Sequence, residues 1–502
     1  MESLQMLYTG FAVCLQPQNI LYCFVGVFVG TMIGVLPGIG PIGTIAILIP
    51  TTYNIPPVSA IIMLTGIYYG AMYGGSTTSI LVNIPGEAAS IVTCFDGYQM
   101  ARQGRAGPAL GIAALGSFIA GIIGVMILAF LAPSLAGLAT NFGPTEYFSL
   151  MILGLTLVTY FGSSSMLKAL MMAALGIILG TVGQDPIFGR SRLTYGTESL
   201  WDGVGLIPVV MGLFGIAEVF VNIEEGEERQ VYETKIKGLL PDREDWRKSA
   251  KPIARGTIIG FLLGILPGAG TITASFASYA LEKKLSTHPE NFGTGAIEGV
   301  AGPETANNAA TMGAMVPLLT LGIPSNTVMA MLLAALMIHG IPPGPLLITR
   351  HPDLFWGVVV SMFLGNAMLL ALNLPLIGMW VKLLRVPYKI LFPLIIIFCL
   401  IGVYSLHSRV SDIIIMLLFG WFGYIMKKCE YDGAPLVLAF ILGPILETSL
   451  RQSLIISKGD PSVFFRHPIS LICLLLAFLF LLSPLVPFFR TRREKIVTGG
   501  MA

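Results

Sequence analysis

Charge is the first thing this chain lacks. Asp, Glu, Lys and Arg supply only 11% of its 502 residues against 55% hydrophobic, and the mean hydropathy is +0.81. A soluble domain carries about 25% charge to maintain a water-facing surface, so that class is excluded. Alternation of polar and apolar residues, the mark of a transmembrane barrel, is missing too: Leu471 to Pro484 (LICLLLAFLFLLSP) is apolar on every face. The composition predicts an all-α polytopic membrane protein in a lipid bilayer, long enough for about 10 to 14 crossings at roughly 20 apolar residues each.

Other scarcities exclude further classes. The net charge is only +2, which gives no footing for nucleic acid. The six cysteines (Cys14, Cys23, Cys94, Cys399, Cys429, Cys473) include no C-x-x-C pair and read as small packing residues, not as a disulfide or metal framework. The first twenty residues lack the basic start and small-residue cleavage site of a signal peptide and are expected to be mature sequence. An intramembrane enzyme would need an acid–base pair, a metal cluster or a Ser-His dyad at membrane depth. The sequence offers no H-E-x-x-H, no paired Asp and no such His beside a motif Ser, so neither an enzyme nor a cofactor is expected.

Gly and Pro are abundant instead, at 58 and 32 residues. Irregular backbone at membrane depth is tolerated only where it is buried in protein or lines a cavity, so these clusters point to interrupted helices around a pathway. They also repeat. Gly26 to Thr44 (GVFVGTMIGVLPGIGPIGT) returns 230 residues later as Gly256 to Ala274 (GTIIGFLLGILPGAGTITA). A second pair follows in the same order, Tyr69 to Ser90 and Asn308 to Met329, aligning Gly74 with Gly313 and Ile84-Pro85 with Ile323-Pro324. Two matched motifs in one order indicate an internal duplication.

Lys and Arg orient the copies. None occurs before Arg102, whereas Arg102 and Arg105, Lys168, the stretch Glu224 to Arg255, Lys283-Lys284, Lys382 to Lys389, Lys427-Lys428 and Arg490 to Lys495 mark cytoplasmic loops. Arg190, Arg192, Arg350, Arg409, Arg451, Lys458 and Arg466 depart from that pattern. The LPGAG break lies midway between Arg255 and Lys283. Each arm of about 11 residues is too short to span, so a re-entrant hairpin is expected.

Five spans between the hairpins (about 57–97, 108–134, 145–162, 166–183 and 203–222) would invert the second copy. The expected plan is then an outside N-terminal segment (1–19), and a first repeat (20–222) with its hairpin at about 20–50 and broken helix at about 57–97. A charged cytoplasmic linker (223–255) leads to an inverted second repeat (256–490), with its hairpin at about 256–281 and broken helix at about 305–338. A cytoplasmic tail (491–502) ends the chain.

The breaks carry the candidate chemistry. Pro starts helices and Gly makes tight turns, so each hairpin tip should expose free N–H groups at the start of its second arm. A mid-span Pro removes a hydrogen bond and kinks a helix, so Asn83-Ile84-Pro85-Gly86-Glu87 and Gly322 to Thr327 should unwind. Four helix starts, each bearing about +0.5 charge, could then converge on a carboxylate, while unwound carbonyls suit Na⁺.

The substrate-binding residues expected are Gly38, Gly40, Pro41, Thr44, Thr77, Asn83 and Gly86 in the first half. In the second they are Gly268, Gly270, Thr271, Thr273, Asn307, Asn308, Ser325, Asn326 and Thr327. Na⁺ is expected near Pro37, Ser76, Pro267, Asn308 and Asn326. Glu87 and Glu304 are candidate ion or proton ligands, each with helix capping as the alternative. The G-x-x-x-G spacing of the hairpin arms reads as close helix packing, and His339 and His351 as solvated loop residues.

These same residues carry a family resemblance. LPGIGP, NIPGEAAS, FDGYQMARQGRAG, LPGAGTITASF, AGPETANNAATMGAMVPLLTLGIPSNT and GIPPGPLL resemble the large membrane subunit of tripartite tricarboxylate transporters (TctA type), over about residues 20 to 490. The resemblance implies a bacterial inner membrane protein with a periplasmic N-terminus and a cytoplasmic C-terminus. It also implies a small four-helix membrane subunit (TctB type) and a periplasmic solute-binding protein (TctC type) that delivers an organic carboxylate. The wider ion-transporter superfamily implies elevator-like alternating access driven by Na⁺ or H⁺. Ser325-Asn326-Thr327 matches that superfamily's Ser-Asn-Thr loop, which touches substrate and Na⁺; Asn83 to Glu87 departs from it. Import of a di- or tricarboxylate, citrate-like, is the leading expectation; a stand-alone carboxylate/cation symporter is the first alternative, with a channel or an intramembrane enzyme behind it.

Overall fold

A computed structural model describes residues 2–36, 40–140, 142–161, 165–185, 187–225, 238–383 and 388–483. These residues are predominantly helical; the one short sheet among them pairs Gly183–Gln184 with Ser191–Arg192. Seven described helices are long and apolar enough to cross a membrane, and Met166–Gly180, Thr327–Ile338, Phe392–His407 and Pro468–Leu482 are shorter apolar helices. The chain is therefore an all-α, multi-pass membrane protein.

The first motif folds as two helical arms, Pro17–Val35 and Gly40–Leu48. A helix over Pro57–Val82 follows, then an unwound stretch, then Ile91–Arg102. Its counterpart repeats that order with arms Arg243–Ile265 and Gly270–Leu285, then Glu298–Leu321, an unwound stretch and Thr327–Ile338. We refer to these as the first and second hairpins and the first and second broken helices.

Glycine sets how each hairpin meets its broken helix. A Cβ added at Gly26, Gly30 or Gly34 would lie 2.2, 2.5 and 2.2 Å from the carbonyl oxygens of Met63, Ile67 and Ala71. At Gly256, Gly260 and Gly264 it would lie 2.5, 2.2 and 2.2 Å from those of Gly302, Ala306 and Ala310. The contact is reciprocal, because Gly74 meets the Thr31 carbonyl and Gly313 that of Phe261. Backbone touches backbone in the same register in both copies, as small-residue spacing expects.

Contacts divide the hairpin ends into two groups. Near the first hairpin, Ser59 Oγ donates to Asn19 Oδ1 (2.6 Å), and Thr52 Oγ1 lies 3.3 Å from His339 Nε2. Near the second, Arg255 pairs with Glu282, and Asp96 Oδ1 accepts from the backbone N–H of Gly293, Gly295 and Ala296, each at 2.8 Å. Tyr279 also donates to Asp96, and Arg105 pairs with Asp245. The first broken helix leaves one group at Pro57 and reaches the other at Arg102.

Several boundaries differ from the sequence reading. The second hairpin starts at Arg243, inside the stretch read as linker, because Asp242 and Asp245 form a capping box there. Its first arm has 23 residues, about 34 Å of helix, but charged side chains run from Arg243 to Arg255 and only 256–265 is free of them. The second broken helix begins at Glu298, before the expected 305. The N-terminal segment holds a helix, Glu2–Cys14, whose Gly10 abuts Trp356. His339 is half-buried against Thr52, so it is not the freely solvated residue expected. Part of the linker (226–237) and the tail 491–502 lie outside the described residues.

Candidate functional site

Both breaks form because the sequence ends one helix with a left-handed residue and starts the next with a polar cap. Asn83 (φ 60°) closes Pro57–Val82, and Gly322 (φ 71°) closes Glu298–Leu321; such residues end helices by tolerating positive φ. Pro85 and Pro324 follow. Glu87 Oε2 then accepts from Ala89 N (2.8 Å) in a capping box with Ser90, and Asn326 Oδ1 accepts from Met329 N (3.0 Å). At the hairpin tips, Gly40 and Gly270 share φ of 63° and 58°. Gly268 (φ 83°) donates its N–H to the Ser325 carbonyl at 2.9 Å, fastening the second tip to the second break.

All four helix starts border one cavity of about 630 Å³. Of the residues expected to bind substrate, Gly40, Pro41, Gly86, Gly268, Gly270, Thr271, Thr273, Asn326 and Thr327 line it. Thr44 is buried and back-bonds to the Gly40 carbonyl, Asn83 is exposed, and Ser325 is buried. Thr77 and Ser76 line a separate small void with Ser117 and Asn373. Asn307 and Asn308 are buried outside the cavity lining. Pro37 and Gly38 lie outside the described residues.

Each copy also holds the other copy's cap. Asn326 Nδ2 donates to Tyr68 Oη at 3.1 Å, from the second break to the first broken helix. Asn307 Nδ2 donates to Glu87 Oε1 at 3.2 Å, from the second broken helix to the first break. Tyr68 and Asn307 occupy matching positions when Gly74 is aligned with Gly313. Behind Glu87, the buried Glu304 carboxylate accepts from Ser76 Oγ at 2.5 Å and from Thr93 Oγ1.

Sequence reasoning missed much of the rest of the wall. Tyr68, Met72, Phe161 and Phe214 give it apolar surface, and Glu218 and Asp432 join Glu87, already a candidate ligand in the sequence, in making it acidic. No Lys or Arg stands among the described lining residues. Glu218 pairs with Lys427. Phe214 belongs to a π-helical stretch, Met211–Ile216, the kind of irregularity that often marks functional sites. Asp432 accepts from Ala434 N at 2.9 Å at the start of Ala434–Ile456, and the D-G-A-P run there is a helix-start signal.

What the site can do follows from that wall. Backbone N–H groups at helix starts suit an anion, and carboxylates nearby suit a cation. Interrupted helices ringing one interior cavity are the architecture of a membrane solute transporter. The chain belongs to the tripartite tricarboxylate transporter TctA family, which matches residues 20–438. Two relatives, both from Agrobacterium vitis, are 50% identical. An uncharacterized 52.8 kDa protein in the TAR-I ttuC' 3' region aligns over 496 residues, 99% of each chain. An uncharacterized protein in the TAR-II ttuC' 3' region aligns over 237 residues, 47% of this chain and 98% of its own. No solved structure matches the chain at a significant level.

Proposed function

We propose that this chain is the large membrane subunit of a binding-protein-dependent importer of di- or tricarboxylates, citrate-like, driven by Na⁺ or H⁺. The observation that carries the reading is the convergence of four helix starts on one cavity in a member of the TctA family. N–H groups at those starts would receive substrate carboxylates without an intramembrane Arg. With Glu218 already paired to Lys427, the acidic residues Glu87 and Asp432 around the same cavity would repel an anion arriving alone. A co-transported cation relieves that repulsion, which favours coupled import over a channel.

The partners proposed are a four-helix TctB-type subunit and a periplasmic TctC-type binding protein, in a bacterial inner membrane with the N-terminus periplasmic and the C-terminus cytoplasmic. The two repeats are proposed to be inverted and to work by elevator-like alternating access. Support for inversion comes from the two contact groups: the first hairpin ends beside His339, the second beside Asp96. The test is uptake of labelled carboxylates into vesicles holding all three subunits. Accumulation should saturate, follow the ion gradient and fall sharply when the binding protein is left out. Failure of every di- and tricarboxylate to accumulate would overturn the substrate class.

A further inference from the structure

The second broken helix carries an ionisable group that no basic side chain among the described residues balances. Glu304 is 1% exposed, and its carboxylate is held by two hydroxyls, Ser76 Oγ and Thr93 Oγ1. A buried intramembrane carboxylate is costly unless its charge is paired, and hydroxyls do not supply that charge. Burial of the whole cluster between the two broken helices keeps water from doing so.

Asn307 and Asn308 stand three and four residues further along, on the same face of the helix. They are 1% and 0% exposed. The orientation of each amide is fixed by what its nitrogen donates to. Asn307 Nδ2 donates to the Glu87 carboxylate at 3.2 Å; Asn308 Nδ2 donates to the Glu304 carbonyl at 3.1 Å and to Ser117 Oγ at 2.7 Å. Both Oδ1 atoms are left buried with no hydrogen-bond partner. Unpartnered buried acceptors are uncommon and call for an explanation.

The Glu304 carboxylate with its two hydroxyl partners, and the two orphaned amide oxygens within one turn of it on the same helix, are all oxygen donors, which is what hard cations take. One negative charge calls for one positive charge. We propose that Glu304, Asn307, Asn308, Ser76 and Thr93 form a buried Na⁺ site, the seat of the coupling ion. The identification as coupling ion rests on the reading of the chain as a cation-coupled transporter. A proton would neutralise Glu304 equally well, but it would leave both amide oxygens unpartnered. Asn307 links the site to the cavity through Glu87, which lines it. Na⁺ binding would thereby brace the first break as substrate arrives.

The test is a Na⁺ titration of the purified full-length chain in detergent, with ionic strength held by choline chloride, read by ²²Na⁺ binding and by thermal unfolding. The wild type should bind Na⁺ saturably and be stabilised by it. Glu304→Gln should abolish binding; Asn308→Ala and Thr93→Val should each weaken it about tenfold or more, the loss of one good ligand. Where Glu304→Gln does not fold, the other two variants carry the test. No saturable ²²Na⁺ binding by the wild type, or unchanged binding in Asn308→Ala and Thr93→Val, overturns the site. A response to pH alone, abolished in Glu304→Gln, would assign Glu304 to a proton instead and also overturn it. Na⁺ binding by a chain that imports no carboxylate would leave the site standing while the proposed substrate fell.

Discussion

Asn83 and Gly322 end the first halves of the two broken helices in the same left-handed conformation; Glu87 caps the 3₁₀ turn Ala88–Ser90 that leads into Ile91–Arg102, and Asn326 caps Thr327–Ile338 directly. Beyond that shared backbone the breaks diverge. The first uses Gly86, where a Cβ would lie 2.0 Å from the Gly34 carbonyl, whereas the second has Ser325, whose Oγ lies 3.4 Å from the Ala314 carbonyl it donates to. The first cap is a carboxylate and the second a neutral amide. The two breaks thus share the geometry that opens a helix and differ in the charge at the opening. A carboxylate cap consumes the positive end of its helix, while an amide cap leaves more of that potential to a bound anion. That contrast predicts that an anion is favoured more at the second break and a cation more beside the first.

The largest effects should come from breaking what the copies share. Gly34→Val and Gly264→Val would each put a Cβ 2.2 Å from a backbone carbonyl, of Ala71 and Ala310, where no flexible side chain can yield. Overpacking costs about 1 to 3 kcal/mol even where side chains can shift, so neither variant should accumulate as folded protein. Size-exclusion profiles of the solubilised protein would check this. Tolerance in one copy alone would break the equivalence.

Next in size are the hairpin tips. A Cβ at Gly268 would lie 2.6 Å from Val158 Cα at a φ of +83°, whereas Gly270 has a φ of +58° with nothing within 4 Å. Gly268→Val should therefore lose most uptake per folded protein. Gly270→Ala faces only the left-handed strain of about 1 to 2 kcal/mol, read as a lowered Tm with uptake retained. Equal losses in both would mean that the tip tolerates no change of backbone at all.

Exchanging the caps sharpens the difference itself. Asp caps a helix about as well as Asn, and the Tyr68 hydroxyl, which accepts from the Asn326 amide, can donate to a carboxylate instead, so Asn326→Asp should keep its Tm while bringing a second carboxylate cap to the cavity. Uptake normalised to folded protein should fall about tenfold, equivalent to about 1.4 kcal/mol of anion binding. Wild-type uptake would remove the argument that the amide matters. A double-mutant cycle of Tyr68→Phe with Asn326→Ala should give a coupling of about 0.5 to 3 kcal/mol in stability, and additivity would argue against the cross-copy hydrogen bond.

Backbone features were the legible part of this fold. Gly and Pro announce conformations that few other residues adopt, so the hairpins, the breaks and their duplication can be read from LPGIG, LPGAG, NIPGE and GIPSNT alone. Partners distant in sequence could not be read that way. Tyr68 meets Asn326 and Glu304 meets Ser76 and Thr93 across more than 200 positions, contacts set by helix packing with no local periodicity to announce them. The charged start of the second hairpin was hidden for another reason: hydropathy marks where a helix becomes apolar, whereas Asp242 caps it earlier, outside the apolar run.

Asn83 offers the smallest effect and the cleanest separation of backbone from side chain. Its residue type beside Pro85 makes it a natural candidate for contact with substrate, yet it is exposed and stands outside the cavity lining. Its φ of 60° explains the residue without any ligand: Asn tolerates the left-handed region better than other side chains, and Gly tolerates it better still. Gly322 already fills the matching position in the second break. Asn83→Gly should therefore leave uptake per folded protein unchanged and shift stability by no more than about 0.5 kcal/mol, because relieved strain offsets the extra freedom of the unfolded chain. Asn83→Val, which keeps a side chain but resists positive φ, should cost more than 1 kcal/mol, roughly the strain per residue in that region. A Gly variant that folds normally yet imports poorly would give the Asn83 amide a role in transport that its position beside the cavity does not account for.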